Sequence, residues 1–346
     1  MTNKRLNHRE VEILEAVIHQ FILTGNAVGS RTVSKKGRNK LSAATIRNVM
    51  SDLEEKGYLS HPHTSAGRVP TTKGYRHFVD NLIEISDLSE VKKRFIENNL
   101  GIFTGDIDLI LERTASVIAK ISYQLGVILT PKFENGILQH LELIRLSAEK
   151  FMVVLNIKEG FAKTVILEIE HDLSSTILEK MTQLLNERLG GLTIREIHTY
   201  VKERLKDIDD DGTGLIRLFI ESADQIFHTN RFNDVKYTGA SNILSSPEFS
   251  DISKVSALIE LIEDKNIIIH MMEQRTIPAG LYVTIGNENA EKPIQNCSII
   301  TAPYTVGDSE GLLGVIGPMR MSYENVIPLV DFTAKYITSK FQEKSK

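Results

Sequence analysis

"LSAATIRNVMSDLEEKGYL", Leu41–Leu59, reads as one capped helix with two unlike faces. Ser42 stands where an N-cap hydroxyl accepts from the first turn's backbone, and Gly57 stands at C′, where a left-handed residue closes a helix. Ile46, Val49, Met50 and Leu53 follow the i, i+3, i+4, i+7 pattern and must face inward. Ala44, Arg47, Asn48 and Ser51 then share the opposite face, which is small, polar and rich in donors, with no bulk to hold it away from another surface.

The flanking sequence decides what kind of helix this is. Upstream, Asn7 with Glu10 forms a capping-box pattern, and Val11, Leu14, Val17, Ile18, Phe21 and Ile22 repeat at helical spacing. Gly25 and Gly29 punctuate the chain, and a short helix follows from about Ser30 to Lys36, ended by Gly37. Two helices, a turn and a longer helix with a small polar face predict a helix-turn-helix whose third helix enters the major groove. Arg47 can donate two bonds to guanine, and Asn48 can pair bidentately with adenine. The plain alternative is a surface helix of any small helical domain.

Downstream the pattern turns to strands. "YLSHP" and "RVPTT" read as a hairpin with "HTSAG" at its tip, a wing appended to the three helices. Arg68, Thr64 and Ser65 are suited to phosphate, and Gly67 lets the backbone turn tightly. Thr71 or Thr72 caps a fourth helix carrying Lys73, Tyr75 and Arg76. The candidate DNA contacts are therefore Arg31, Ser42, Ala44, Thr45, Arg47, Asn48 and Ser51 on the helices, His63, Thr64, Ser65 and Arg68 on the wing, and Lys73, Tyr75 and Arg76 beyond it. Catalysis by His63 and Ser65 is a poor reading, because they sit close together on a loop tip with no carboxylate to orient them. His61 and His63 lack further ligands at metal-binding spacing, so no metal is expected.

Charge supports the same direction. The chain of 346 residues has a net charge of −4, but residues 1–85 carry 13 Lys and Arg against 8 Asp and Glu, leaving 28 against 37 in the rest. A basic head on an acidic body suits a polyanionic partner. No apolar run approaches the roughly 20 residues of a membrane span, and the N-terminus has no apolar core of a signal peptide, so a cytoplasmic location is expected. Cys297 is the only cysteine, which excludes an internal disulfide and a cysteine-rich zinc site.

The body reads as α+β. A helix from about Asp106 to Ser122 leads to "QLGVILT", and "LQHLELIRLS", "KFMVVLNI" and "AKTVILEIE" read as strands, with Glu159–Gly160 as a hairpin turn. A helical block follows, strand chemistry resumes at "LYVTIGNEN", "NCSIITAPY" and "GLLGVIGP", and a last helix runs from about Tyr323 to Phe341. This order predicts a sheet domain interrupted by a mainly helical insert at about 173–262. Within the insert, Ile177, Leu178, Met181, Leu184 and Leu185 form an apolar stripe at helical spacing. Ile177, Met181, Leu184 and Leu185 are the candidate dimer contacts, the plain alternative being that the stripe packs on its own domain. "DIDDDG" at Asp207–Gly212 opens like a calcium loop, but its twelfth position is Leu218, so an acidic turn is expected. Neither a phosphate-binding Gly-x-x-x-x-Gly-Lys-Ser/Thr nor a dinucleotide-binding Gly-x-Gly-x-x-Gly after a strand is present, and no cofactor is expected.

The motifs resemble one family. "VGSRTVSKK", "LSAATIRNVMSDLEEKGYL" and "HPHTSAGRVPTTKGYRHFVD" are similar to the N-terminal signature of the HrcA heat-inducible transcription repressors. "VTIGNEN" resembles that family's Gly-Glu-Glu-Asn segment with Asn287 for the first Glu. "GLLGVIGPMRMSYENVIPLV" resembles its C-terminal stretch with Met319 where Thr is usual. The resemblance implies a homodimer that represses chaperone operons through an inverted-repeat operator, CIRCE, with chaperonin as a modulator. It also implies a winged helix (1–100), a GAF-like domain in two parts (101–172 and 263–346) and an inserted dimerisation domain (173–262). Two other readings are a metabolite-sensing transcription factor with a ligand in the GAF-like domain, and an enzyme with a nucleic-acid-binding head. The body offers no catalytic constellation for the latter.

Overall fold

The computed structural model describes residues 6–344 except 37–40, 62–66, 84–85, 102–106, 132, 159–160, 170–173, 209–212, 228–234, 250 and 274–279. Its head comprises α1 (His8–Thr24), α2 (Ser30–Lys36), α3 (Ala43–Glu55), β1 (Leu59–Ser60), β2 (Val69–Pro70) and α4 (Thr72–Asn81). The predicted caps form. Asn7 and Glu10 exchange side-chain-to-backbone bonds, both 3.0 Å. At the end of α3, Gly57 has φ +77, and the N–H groups of Gly57 and Tyr58 donate to the carbonyls of Glu54 (2.8 Å) and Leu53 (2.9 Å). That pair of hydrogen bonds is the Schellman closure a glycine permits at no steric cost. Leu14, Val17, Ile18, Ile46, Met50, Leu53 and Phe78 are buried together as the core of the head.

The body follows with α5 (Glu90–Leu100), α6 (Ile107–Ser122), β3 (Leu125–Leu129), β4 (Leu138–Arg145), β5 (Lys150–Ile157), β6 (Phe161–Glu168), α7 (Ser175–Leu189), α8 (Ile194–Leu205), α9 (Leu215–Glu221) and α10 (Ala223–Phe227). It continues with β7 (Val235–Thr238), α11 (Ala240–Leu244), α12 (Ile252–Glu263), α13 (Lys265–Glu273), β8 (Tyr282–Ile285), β9 (Cys297–Val306), β10 (Ser309–Pro318) and α14 (Tyr323–Lys344). The larger sheet has strand order β7-β3-β10-β9-β8, with every pairing antiparallel. One face packs on α6 and α14 through Ile128, Ile300, Leu313 and Val315. The other packs under α11, α12 and α13 through Leu125, Val127, Ile299 and Ile316. Burial on both faces explains why "GLLGVIGP" is almost continuously apolar rather than alternating. Cys297 lies in the second layer, where burial pushes its thiol up to about 12.

The sheets divide the body differently from the sequence-based expectation. Strands β4, β5 and β6 pair only among themselves, as a three-stranded meander. Their inward residues Leu141, Leu143, Phe151, Val153, Leu155, Val165 and Leu167 share a core with Leu178, Leu185, Ile197, Phe219 and Phe227 of α7–α10. The unit that leaves the larger sheet therefore spans roughly the elements from β4 to α10. The chain rejoins that sheet at β7, which pairs with β3. The expected boundaries at 172 and 262 are corrected on both sides. Strand chemistry marks β4–β6 as strands but cannot say which sheet they join, because pairing partners are long-range.

The helix chosen as the dimer contact also changes meaning. Asn186 on α7 accepts from the Leu141 N–H (2.7 Å) and donates to the Leu141 carbonyl (2.6 Å), while Thr182 accepts from the Leu143 N–H (3.1 Å). These side chains satisfy the free edge of β4, which would otherwise invite another strand. The apolar stripe turns into the module's own core. Leu185 is fully buried, and Ile177, Met181 and Leu184 are half-buried against the same cluster. Leu185 as a dimer contact is corrected.

Candidate nucleic-acid interface

The outer face of α3 is built by its caps. The Ser42 hydroxyl accepts from the Thr45 N–H at 3.1 Å and lies 2.9 Å from the Thr45 hydroxyl, so both side chains are occupied in starting the helix. With Ile46, Met50 and Leu53 held in the core, Ala44, Arg47 and Asn48 are exposed and Ser51 is half-buried. The Arg47 and Asn48 side chains make no hydrogen bond or ion pair among the described residues. The turn from α2 is closed by the Ser34 hydroxyl donating to the Leu41 carbonyl (2.9 Å). Arg31 is exposed on α2, as is Lys35 four residues on, a cation the sequence reading passed over. Helical spacing from Arg31 was the signal that could have found it.

The helix is also tied to α1 from below. Lys56, the C-cap of α3, donates to both carboxylate oxygens of Glu10 on α1, at 2.6 and 2.7 Å. Burial pushes the Glu10 carboxyl up, but Lys56 and the Asn7 backbone together hold it below its ordinary 4.5. A depressed carboxylate pKa stabilises the fold above the unfolded value and ceases to do so as pH falls through the folded one. The head should therefore lose stability as pH drops below about 4.5. Glu10→Gln should remove most of that acid sensitivity while costing roughly 1–3 kcal/mol at neutral pH. Thermal unfolding at pH 3–7 measures both; an unchanged acid limb in the variant would assign it to another group.

The wing is a small antiparallel sheet. Leu59 pairs with Pro70 and Ser60 with Val69, and Val28 adds a third rung through two bonds to Arg68 (2.8 and 2.9 Å). His63, Thr64 and Ser65, the expected phosphate contacts at the tip, lie outside the described residues. Arg68 is corrected. Its guanidinium is only 14% exposed, paired with Glu54 of α3 at 2.9 Å and with His61 Nδ1 at 2.9 Å. It fastens the wing to α3 rather than standing free for phosphate.

Three residues beyond the wing also differ from expectation. Lys73 donates to the Lys56 carbonyl (2.8 Å) and sits 4.4 Å from the Tyr58 ring centre, at the negative end of α3. Tyr75 is corrected outright: it is 1% exposed, its ring centre 6.0 Å from that of Tyr323 in the body. Arg76 is bound to Glu288, Asp80 and the Val283 carbonyl. Sequence could not reveal this, since α4 offers two polar faces and only the body decides which is covered. Tyr75→Phe should leave DNA affinity within about twofold, because the ring keeps its packing. A tenfold loss in a binding titration would return the hydroxyl to the interface.

Among the described residues, no group of three or more His, Cys, Asp and Glu could hold a metal ion, and no helix is long and apolar enough to cross a membrane. Residues 209–212 of the acidic turn lie outside the described set.

A four-helix head with a small hairpin and an open, donor-rich helix face, carried on an α+β body, defines a DNA-binding regulator. The family description "HrcA protein C terminal domain" matches residues 108–327. Among curated relatives, the heat-inducible transcription repressor HrcA of Prosthecochloris aestuarii is 39% identical over 349 residues, covering 98% of each chain. That of Chlorobium phaeobacteroides strain BS1 is 38% identical over 340 residues, covering 95% of this chain and 96% of the relative. A crystal structure described as that of a hypothetical protein shares the fold, with a TM-score of 0.67 and 23% identity over 99% of this chain and all of the other. The chain belongs to the HrcA family of heat-inducible transcription repressors, whose role is regulatory and not enzymatic.

Proposed function

We propose that this chain is a sequence-specific repressor of chaperone operons, acting in the cytoplasm as a homodimer on a CIRCE-type inverted repeat in double-stranded DNA. In this reading the head is a winged helix, the five-stranded sheet and its helices are the GAF-like domain, and the β4–α10 unit is the inserted dimerisation module. Chaperonin is the expected modulator. The observation that carries the proposal is the outer face of α3. Arg47 and Asn48 are exposed, and make no hydrogen bond or ion pair among the described residues, on a helix tied down by the Ser42 cap, the Gly57 closure and the Glu10–Lys56 pair. These are the side chains that read guanine and adenine edges. The metabolite-sensing reading has less support, since among the described residues both faces of the five-stranded sheet pack largely against the protein's own helices.

The dimer contact we propose is the outer face of the β4–β5–β6 sheet. Ile144 pairs with Met152 and Met152 with Ile166, so an apolar row crosses all three strands on the side away from α7–α10. Val154 lies beside this row, and Ile166 and Leu146 are 54% and 49% exposed. A sheet face of this kind can pack on its own copy about a two-fold axis. Selecting bound sequences from random duplexes tests the whole reading. A two-fold inverted repeat is expected, and a single unrepeated site or no enrichment would overturn it.

A further inference from the structure

Two motifs lie outside the DNA-reading face proposed above: the loop Gly286–Asn289 and the stretch Met319–Tyr323. The fold brings both against the head. Arg76 of α4 reaches out to the body, donating to Glu288 (2.8 Å from Nε) and to the Val283 carbonyl (2.7 Å). Arg320 reaches in the opposite direction. Its guanidinium is paired with Glu248 and donates to the Ile22 carbonyl of α1 (2.9 Å). Ile22 lies in the last turn of α1, where carbonyls lack helical partners and where α1 has no basic residue of its own. Arg320 supplies that cation from the body. His19 of α1 lies 3.4 Å from Glu324 in the first turn of α14, and Tyr75 packs by Tyr323.

The loops are held by hydrogen bonds within the body itself. Asn289 is 1% exposed, with its amide nitrogen within bonding distance of the Gly286, Ile294 and Cys297 carbonyls (2.9, 3.1 and 2.9 Å). Its oxygen accepts from the Thr284 hydroxyl (2.7 Å), and Glu288 accepts from the Ile285 N–H (2.9 Å). The Tyr323 hydroxyl donates to the Met319 carbonyl (2.9 Å) and lies 2.6 Å from the Ser298 hydroxyl. Gly286 has φ +54, and a Cβ there would fall 2.5 Å from the Thr72 hydroxyl and 2.6 Å from the Met319 sulfur. Only glycine lets the start of α4 come this close. The main packing partners of α3 among the described residues, meanwhile, are α1, α2 and β1, all within the head, and Ala44, Arg47 and Asn48 on its outer face are exposed with the head seated.

We infer that these two loops form a seat that fixes the angle at which the body carries each head, making Arg76, Glu288 and Arg320 positioning residues that select the spacing between operator half-sites without touching DNA. The inference rests on the two-headed repressor proposed above. Two rigidly carried heads fit one half-site separation, whereas loosely tethered heads accept several and lose the gain of linked binding. A planar guanidinium held at several points resists rotation in a way a single lysine contact does not.

The test measures binding of the full-length protein to duplexes holding one half-site, or two half-sites at spacings stepped by single base pairs. Glu288→Ala and the double variant Glu248→Ala/Arg320→Ala are compared with the unaltered protein; the double variant leaves neither charge unpaired. For both, half-site affinity should stay within about twofold. Affinity for the preferred spacing should fall roughly tenfold to a hundredfold, and the sharp dependence on spacing should flatten. Spacing profiles identical to the unaltered protein would overturn the inference, as would a gain in operator affinity, which would make the seat a restraint on binding. A loss of half-site affinity equal to the loss on the full operator would also overturn it, since the head itself would then be damaged. An unaltered protein with no spacing preference would instead refute the two-headed reading.

Discussion

Arg47→Ala in the full-length protein should lower operator affinity by about 2–6 kcal/mol while changing affinity for random duplex far less. One bidentate base contact is worth about 1–3 kcal/mol, and a two-fold dimer loses it twice. Asn48→Ala should behave alike at a different base position. Both side chains are exposed and outside the core, so the helix should survive their removal. Titration of labelled operator and scrambled duplex at one fixed salt concentration gives the two affinities, since their ratio is meaningless when salt varies. Equal losses on both duplexes would make Arg47 a phosphate contact and move base reading elsewhere. Arg68→Ala provides a contrast. It should loosen the wing by freeing Glu54 and His61, with base preference retained.

The second large effect concerns assembly. Met152→Asp with Ile166→Asp places four like charges across a two-fold contact and should yield a folded monomer. Operator affinity should then fall by roughly 10²–10⁴, the gain that linking two sites supplies. Both side chains lie on the open face of the sheet, so their replacement should leave the core of Phe151, Val153 and Val165 in place. Sedimentation at micromolar concentration and far-ultraviolet dichroism together decide the case. A folded variant that remains dimeric would remove this face from the interface. Leu185→Asp should act differently, unfolding the module from within, because that side chain is fully buried under α7.

The sequence by itself determined the head almost completely. Its signals are local: a cap hydroxyl at Ser42, a glycine at position 57, and apolar residues three and four apart. Each acts through bonds or contacts within a turn or two, so α1–α4 and the hairpin lie close to where the pattern put them. The open face of α3 was legible for the same reason, since the inward residues fix the outward ones. Strands of the body were legible as strands except β7, which the expected helical insert had absorbed, and their grouping was not legible. Whether β4–β6 extend the larger sheet or form another depends on partners far along the chain.

Only the tertiary structure decided which polar residues are free. Arg68, Arg76 and Tyr75 have the same chemistry as DNA contacts, yet Glu54, Glu288 and Tyr323 engage them. Two of those partners lie more than two hundred residues away. The stripe on α7 reads as an exposed surface until the sheet that it covers is known. A side chain's type and period declare what it can do. What it does depends on whether the fold brings a charge, a ring or open water to it, and no local pattern records that.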